Sequence, residues 1–300
     1  MNEKTLMQIA NVLSANVQNL NRNGLLKGKM GVVIFLYHYA RNTGCKSYSD
    51  LASNLLDEIF IAGNNPSVSI SNGLSGIGWG IHYLMKKQFI SCNEDIFEEA
   101  EKWMVRSILG QQNEDMLDVG LYFACCRSSL LDKDLLSNLS NKVKNLLSNG
   151  RHSLDILNKI MALILRTTIQ DSNDELLDAL SYSIDAQLYR TSDLMICKDL
   201  LLETVQKYDM ISGDKLYNRC ESLLLAKDLQ KDRLETVWQH LLFFDDFKKT
   251  VCDMDWTSSL VHTILLDLKE ENLYLNGGLP AIGLDIILSS NYKNNQINDN

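Results

Sequence analysis

The sequence predicts an all-α protein, a closed α/α toroid of about seven helical hairpins with about fourteen helices in an inner and an outer ring. Three observations predict it. Apolar residues recur at spacings of three and four from end to end, the pattern of amphipathic helices. No stretch carries the sustained Val- and Thr-rich alternation of a strand. A glycine-led segment followed by a strongly apolar helix also returns at near-regular intervals along the 300 residues.

Ala10, Leu13, Val17 and Leu20 form the first stripe, closed by the polar break Asn21 to Gly24. Gly28-Lys29-Met30-Gly31 then leads into Val-Val-Ile-Phe-Leu-Tyr, an apolar helix. Leu51, Leu55 and Ile59 mark the amphipathic helix after it, which ends in the break Gly63 to Ser67. Gly73-Leu74-Ser75-Gly76 opens the second apolar helix, 45 residues after Gly28. Gly120-Leu121-Tyr122-Phe123, 47 residues further on, reads as a copy that has lost its second glycine. Leu136, Leu139, Val143 and Leu146 form the next stripe, ending at Asn149-Gly150.

From Gly120 to Gly278 is 158 residues, or four intervals of about 39. Anchors are then expected near 159, 199 and 238, and helical patterns occupy 153–168, 193–207 and 232–247, with a break at Ser212-Gly213. Gly278-Leu279-Pro280-Ala281 opens the last apolar helix. Short breaks between amphipathic helices imply antiparallel hairpins. Such a ring buries its apolar helices inside and exposes the amphipathic ones. Residues 1–290 are therefore expected to form a single domain, with 291–300 a frayed polar tail.

Composition excludes several classes. At 45% hydrophobic and 22% charged residues the chain is neither disordered nor fibrous. Its two prolines, Pro66 and Pro280, leave no proline-rich linker. A net charge of −9 argues against nucleic acid as a partner. The longest apolar run, Val32 to Tyr37, is far too short to span a membrane, so no membrane insertion is expected. The N-terminus shows no signal peptide, and none of the seven cysteines forms a C-x-x-C pair. They read as reduced thiols, with a cytoplasmic location expected.

Glycine inside a helix costs about 0.8–1 kcal/mol relative to alanine, so paired glycines at helix starts need a reason. Converging helix ends supply one, because a missing side chain lets backbones approach. Gly28, Gly31, Gly73, Gly76, Gly278 and Gly283 are the glycines assigned this structural role. The unsatisfied N–H groups at the same ends would face a central mouth. Lys27, Lys29, Asn72, Ser75, Trp79, His82 and Asn276 are the residues expected to line it and to bind there. No strand precedes the glycines and no G-K-[ST] follows, so these are not phosphate loops.

The segments Gly24 to Gly31, Asn72 to Ile81 and Asn276 to Gly283 resemble the lanthionine synthetase C-like (LanC-like) family. The resemblance implies a seven-fold α/α toroid. Its zinc members cyclise ribosomally synthesised precursor peptides by adding a cysteine thiolate across a dehydroamino acid. That chemistry needs two thiolates and an imidazole at an open tetrahedral site. In the family these come from a Trp-Cys-x-Gly and a Cys-His-Gly motif on neighbouring late repeats, with a His-Gly in a middle repeat as acid/base partner. Here no cysteine precedes a histidine, neither Trp238 nor Trp256 precedes a cysteine, and no His-Gly occurs. Cys197, His240 and Cys252 fit no metal-ligand spacing. No zinc or other cofactor is therefore expected, and no residue is assigned to catalysis.

Other constellations read as structural. His38 and His82 lie within apolar helices and are expected to be satisfied core histidines. Asp245-Asp246 is followed by Lys248-Lys249, not by the further carboxylates a magnesium–diphosphate site needs. Glu114, Asp115 and Asp118 suit the first turn of a helix, although paired carboxylates also serve glycoside hydrolysis. The expected function is that of an accessory protein in peptide modification, binding a precursor peptide or a partner maturation enzyme without zinc-dependent cyclisation. An active thioether-forming cyclase with atypical ligands and a carbohydrate-active toroid are the alternatives.

Overall fold

A computed structural model describes residues 2–61, 67–110, 114–167, 173–185, 190–208, 213–226, 234, 236–244 and 254–298. The segments around Pro66, Asp245-Asp246 and Cys252 lie outside these residues. Among the described residues all regular structure is helical. The α-helices are α1 (Asn2–Asn16), α2 (Lys29–Thr43), α3 (Lys46–Ile61), α4 (Leu74–Lys86), α5 (Glu98–Gly110), α6 (Asp115–Cys126), α7 (Lys133–Ser148), α8 (Leu154–Arg166), α9 (Asn173–Asp185), α10 (Thr191–Tyr208), α11 (Gly213–Leu225), α12 (Val237–Phe244), α13 (Met254–Leu266) and α14 (Leu279–Asn298).

The even-numbered helices are the apolar ones. In α2 every residue from Met30 to Ala40 is buried, and in α6 every residue from Met116 to Phe123. The intervening helices bury one stripe each, such as Ala52, Leu55, Leu56 and Ile59 in α3. A fully buried Leu or Ile side chain contributes about 1.5–3 kcal/mol, so these stripes hold each covering helix in place. In α1 and its 3-10 extension the expected stripe is buried as a unit: Ala10, Leu13, Val17 and Leu20. In α7 the face is rotated from the expected one. Leu135, Leu139, Val143 and Leu147 are buried, and Leu136 and Leu146 are only half-buried. Two adjacent leucines compete for the core at each end of that stripe, and spacing alone does not choose between them.

The buried helices begin at residues 29, 74, 115, 154, 191, 237 and 279, which are 45, 41, 39, 37, 46 and 42 residues apart. One expectation needs correction. Gly120 does not open its helix: α6 starts at Asp115, and Gly120 sits inside it, facing Leu139 and Leu163. Its role is a close helix contact in place of a turn. The helix start carries Glu114 and Asp115, whose negative charge suits the N-terminal dipole.

The chain divides into two compact units. The first comprises 1–96, 233–241 and 246–300. Within it α2 packs against α3, α4 and α14, and α1 packs against α13 and α14, so the first and last buried helices are neighbours. The second comprises 97–232 and 242–245. There α6, α8 and α10 stand in a row, with α5, α7, α9 and α11 packed beside them. Side-chain caps start two of these helices: Asp132 accepts from the Leu135 N–H at 2.8 Å, and Ser153 from the Ile156 N–H at 3.4 Å.

Candidate functional site

In the first unit, three loops lead into α2, α4 and α14, and they are joined through their backbones. The Leu26 and Lys27 N–H groups donate to the Ser71 carbonyl at 3.1 and 3.2 Å, and the Asn276 N–H donates to the Leu26 carbonyl at 3.2 Å. Glycine permits that approach. A Cβ on Gly31 would lie 2.6 Å from both the Leu25 carbonyl oxygen and the Leu275 Cβ. One on Gly76 would meet the Ile70 carbonyl, and one on Gly24 the backbone of Asn72. Gly28, Gly73 and Gly278 are packed against loop backbone in the same way, and Gly283 against the Phe35 ring. Gly28 and Gly73 have ordinary extended dihedrals, so their requirement is space and not conformation.

The residues expected at the mouth divide by exposure. Lys27 is exposed, and Asn72 and Asn276 are half-buried at the joined loops. Lys29 is committed to an ion pair with Glu58 at 2.8 Å, which holds the Glu58 carboxyl below its usual range. Ser75 is fully buried, and Trp79 is buried with its ring stacked on Tyr83 at 5.2 Å. His82 lies in the third turn of α4, ~12 Å along the helix from its start. It is therefore not at the entrance with Ser75.

Two features at this level were not legible in the sequence. The Trp238 indole N–H donates to the Asn276 side-chain oxygen at 3.2 Å, tying the start of α12 to the loop before α14. Gln239, next along, is 1% exposed, and its side-chain oxygen has no hydrogen-bond donor among the described residues. An acceptor left so costs about 1–3 kcal/mol.

His38 is a satisfied core histidine. Its Nε2 is 2.9 Å from the Tyr83 hydroxyl, and its ring meets Phe89 edge-on at 4.8 Å. Burial, aided by the Arg41 and Lys87 charges, pushes its pKa down to about 3. The Arg41 guanidinium stacks on Phe89 at 3.5 Å. His38 is thus held neutral, with its Nε2 paired to Tyr83.

In the second unit the first two turns of α6, α8 and α10 carry buried charge. The Lys159 ammonium lies 3.0 Å from Asp118 and 3.3 Å from Asp155. Burial works to lower the Lys159 pKa, but the two carboxylates outweigh it and hold the ammonium above its ordinary value. Asp193 on α10 is buried and chelated by Arg190 at 3.0 and 2.7 Å. Its carbonyl accepts from the buried Asn158 amide at 2.7 Å. Asp118 is therefore one half of an internal ion pair, while Glu114 is exposed. Further out, a cleft of about 560 Å³ lies between α5 and α7, where Arg127 and Tyr122 hold the buried Glu101 carboxylate at 3.0 and 2.7 Å.

The sequence resemblance implies that a zinc site would need two thiolates and an imidazole. Among the described residues no group of three or more His, Cys, Asp or Glu side chains could hold a metal ion. The sulfurs of Cys197 and Cys220 are 3.9 Å apart and face each other across α10 and α11. His240 is buried in the first unit, and Cys252 lies outside the described residues. The described donors do not fit a zinc site.

Buried helices at a period of about forty residues, three of them with glycine-packed entrances joined loop to loop, define an all-α repeat protein. The family model described as Lanthionine synthetase C-like protein matches residues 8–185, more than half of the chain. The chain belongs to the lanthionine synthetase C-like family, whose fold is an α/α toroid and whose description ties it to lanthipeptide-type modification. No curated protein matches, and no solved structure matches. Among the described residues no helix is long and apolar enough to cross a membrane.

Proposed function

We propose that this protein is an accessory member of the family, which binds a precursor peptide or a partner maturation enzyme at the joined helix entrances and does not carry out zinc-dependent cyclisation. The carrying observation is the donor set. The sequence holds no Trp-Cys and no Cys-His pair, and at the starts of α12 and α14 stand Trp238-Gln239 and Asn276-Gly277-Gly278. An indole and two carboxamides bind zinc poorly, unlike the thiolates and imidazole that such a site takes.

In this reading residues 1–290 act as one domain. Lys27, Asn72 and Asn276 offer accessible polar groups to the ligand. Lys29, Ser75 and Trp79 support them from behind, and His82 lies deeper along α4. The location is cytoplasmic, where precursor peptides are made.

The test is a titration of the purified protein with the precursor peptide encoded beside its gene, followed by tryptophan fluorescence, with zinc content measured on the same preparation. Saturable binding with sub-stoichiometric zinc, and no loss of free thiol from a dehydrated peptide, is the expected result. Stoichiometric zinc with thiol consumption would instead establish a cyclase with atypical ligands.

A further inference from the structure

The only buried thiols among the described cysteines are Cys197 on α10 and Cys220 on α11, both 0% exposed. Their sulfurs stand 3.9 Å apart, while Cys45 is exposed and Cys92, Cys125 and Cys126 are half-buried. A disulfide needs about 2.05 Å between sulfurs. The two facing thiols are thus roughly 2 Å short of bonding distance, with no other side chain's sulfur set against either of them among the described residues.

From this geometry we infer that Cys197 and Cys220 form a peroxide-sensitive dithiol that closes to a disulfide stapling α10 to α11. The inference does not depend on the proposed peptide-binding role.

The two sulfurs are not equivalent. The hydrogen bond with the Cys197 thiol lowers the Cys220 pKa against the opposing effect of burial, and the nearby Arg219 and Lys198 charges add to the lowering. Cys197 is pushed up by its hydrogen bond with Cys220, by burial and by the nearby Asp193 carboxylate. A thiolate is the reactive form, so Cys220 is the attacking sulfur and Cys197 the resolving one.

The chemistry balances with hydrogen peroxide as oxidant. The Cys220 thiolate attacks one peroxide oxygen, the O–O bond breaks, and hydroxide leaves to take up the Cys220 proton as water. The Cys220 sulfenic acid is then attacked by Cys197 sulfur, which gives up its proton. The S–O bond breaks, the S–S bond forms, and a second water leaves. Access comes by opening of α11, an amphipathic covering helix that buries only Gly213, Cys220 and Leu224.

Trypsin separates the two cysteines into peptides 191–198 and 220–227, so the cross-link is directly readable. Full-length native protein is treated with a small excess of hydrogen peroxide, remaining thiols are alkylated under denaturing conditions, and the non-reduced digest is mapped by mass spectrometry. The expected result is a 191–198/220–227 disulfide peptide in most of the molecules, abolished by dithiothreitol. In Cys197→Ser a dimedone adduct should appear at Cys220, and in Cys220→Ser none should appear at Cys197. Recovery of both peptides fully alkylated from oxidised wild-type protein overturns the inference. So does pairing of either cysteine with a different partner, and the wild-type map decides this even if a variant fails to fold.

Discussion

Lys159 of α8 stands 3.0 Å from Asp118 of α6, and both side chains are largely buried. The pair joins two adjacent buried helices at their first two turns, with Asp155 as a second carboxylate on the same ammonium. A buried pair contributes modestly as a whole, but removing one partner strands the other in a poor solvent.

Lys159→Met should therefore destabilise the protein by ~3–5 kcal/mol. Adding Asp118→Asn should restore part of that loss, because the stranded charge is removed. Urea denaturation of the two single variants and the double variant measures the coupling. Simple additivity would show that the pair is not a unit.

Acid stability should report His38. Its folded pKa, near 3, lies below the ordinary 6.5, so the unfolded state takes up a proton that the folded state refuses. This contribution is fully present above about 6.5 and is lost as pH falls from there toward 3. The loss from this one group is on the order of 3–5 kcal/mol. His38→Gln keeps a hydrogen-bonding partner for Tyr83 but does not titrate, so its stability curve should be flatter across that window. Denaturant midpoints measured from about pH 3.5 to 7.5 test this.

Space, and not flexibility, explains the glycine at position 76. Gly76→Ala would press a methyl group onto the Ile70 carbonyl, in a loop near backbone bonds shared with its neighbour. A loss of about 3 kcal/mol or more is expected. Gly110→Ala, where a Cβ meets nothing within 4 Å, should be neutral or stabilising by up to ~1 kcal/mol. Thermal melts of the two variants side by side separate the mechanisms.

Two lysines at the α2 entrance should behave differently. Lys27 is exposed, so Lys27→Glu should leave the melting temperature unchanged and weaken precursor-peptide binding about 5- to 10-fold, roughly 1 kcal/mol. Lys29 is held by Glu58, so Lys29→Glu should lower the melting temperature by placing two carboxylates together. Calorimetry and peptide titration of both variants make the comparison.

Much of the fold is legible in the order of the residues. The stripe Ala10, Leu13, Val17, Leu20 and the glycine-led helices at 29, 74 and 279 follow from local pattern. Where the pattern carries two candidates, it fails. Gly120 imitates a helix start but lies inside α6, and the neighbouring leucines at both ends of the α7 stripe leave its face undetermined. The site is less legible than the fold. Ser75 and Trp79 have the spacing of mouth residues, and Lys29 the charge, but burial and the Glu58 ion pair occupy them.

The sequence by itself determined the helical class, the positions of most buried helices, the family resemblance and the missing Cys-His and Trp-Cys pairs. Each of these is written within a few residues or in a period. Only the tertiary structure decided which side chains meet: His38 with Tyr83, Lys159 with Asp118, Trp238 with Asn276 and Cys197 with Cys220. The first three of these pairs are 45, 41 and 38 residues apart, close to one repeat. A repeat period says that neighbouring helices face each other at about that separation. The rotation of each helix, set by how its whole apolar face packs, decides which residues touch.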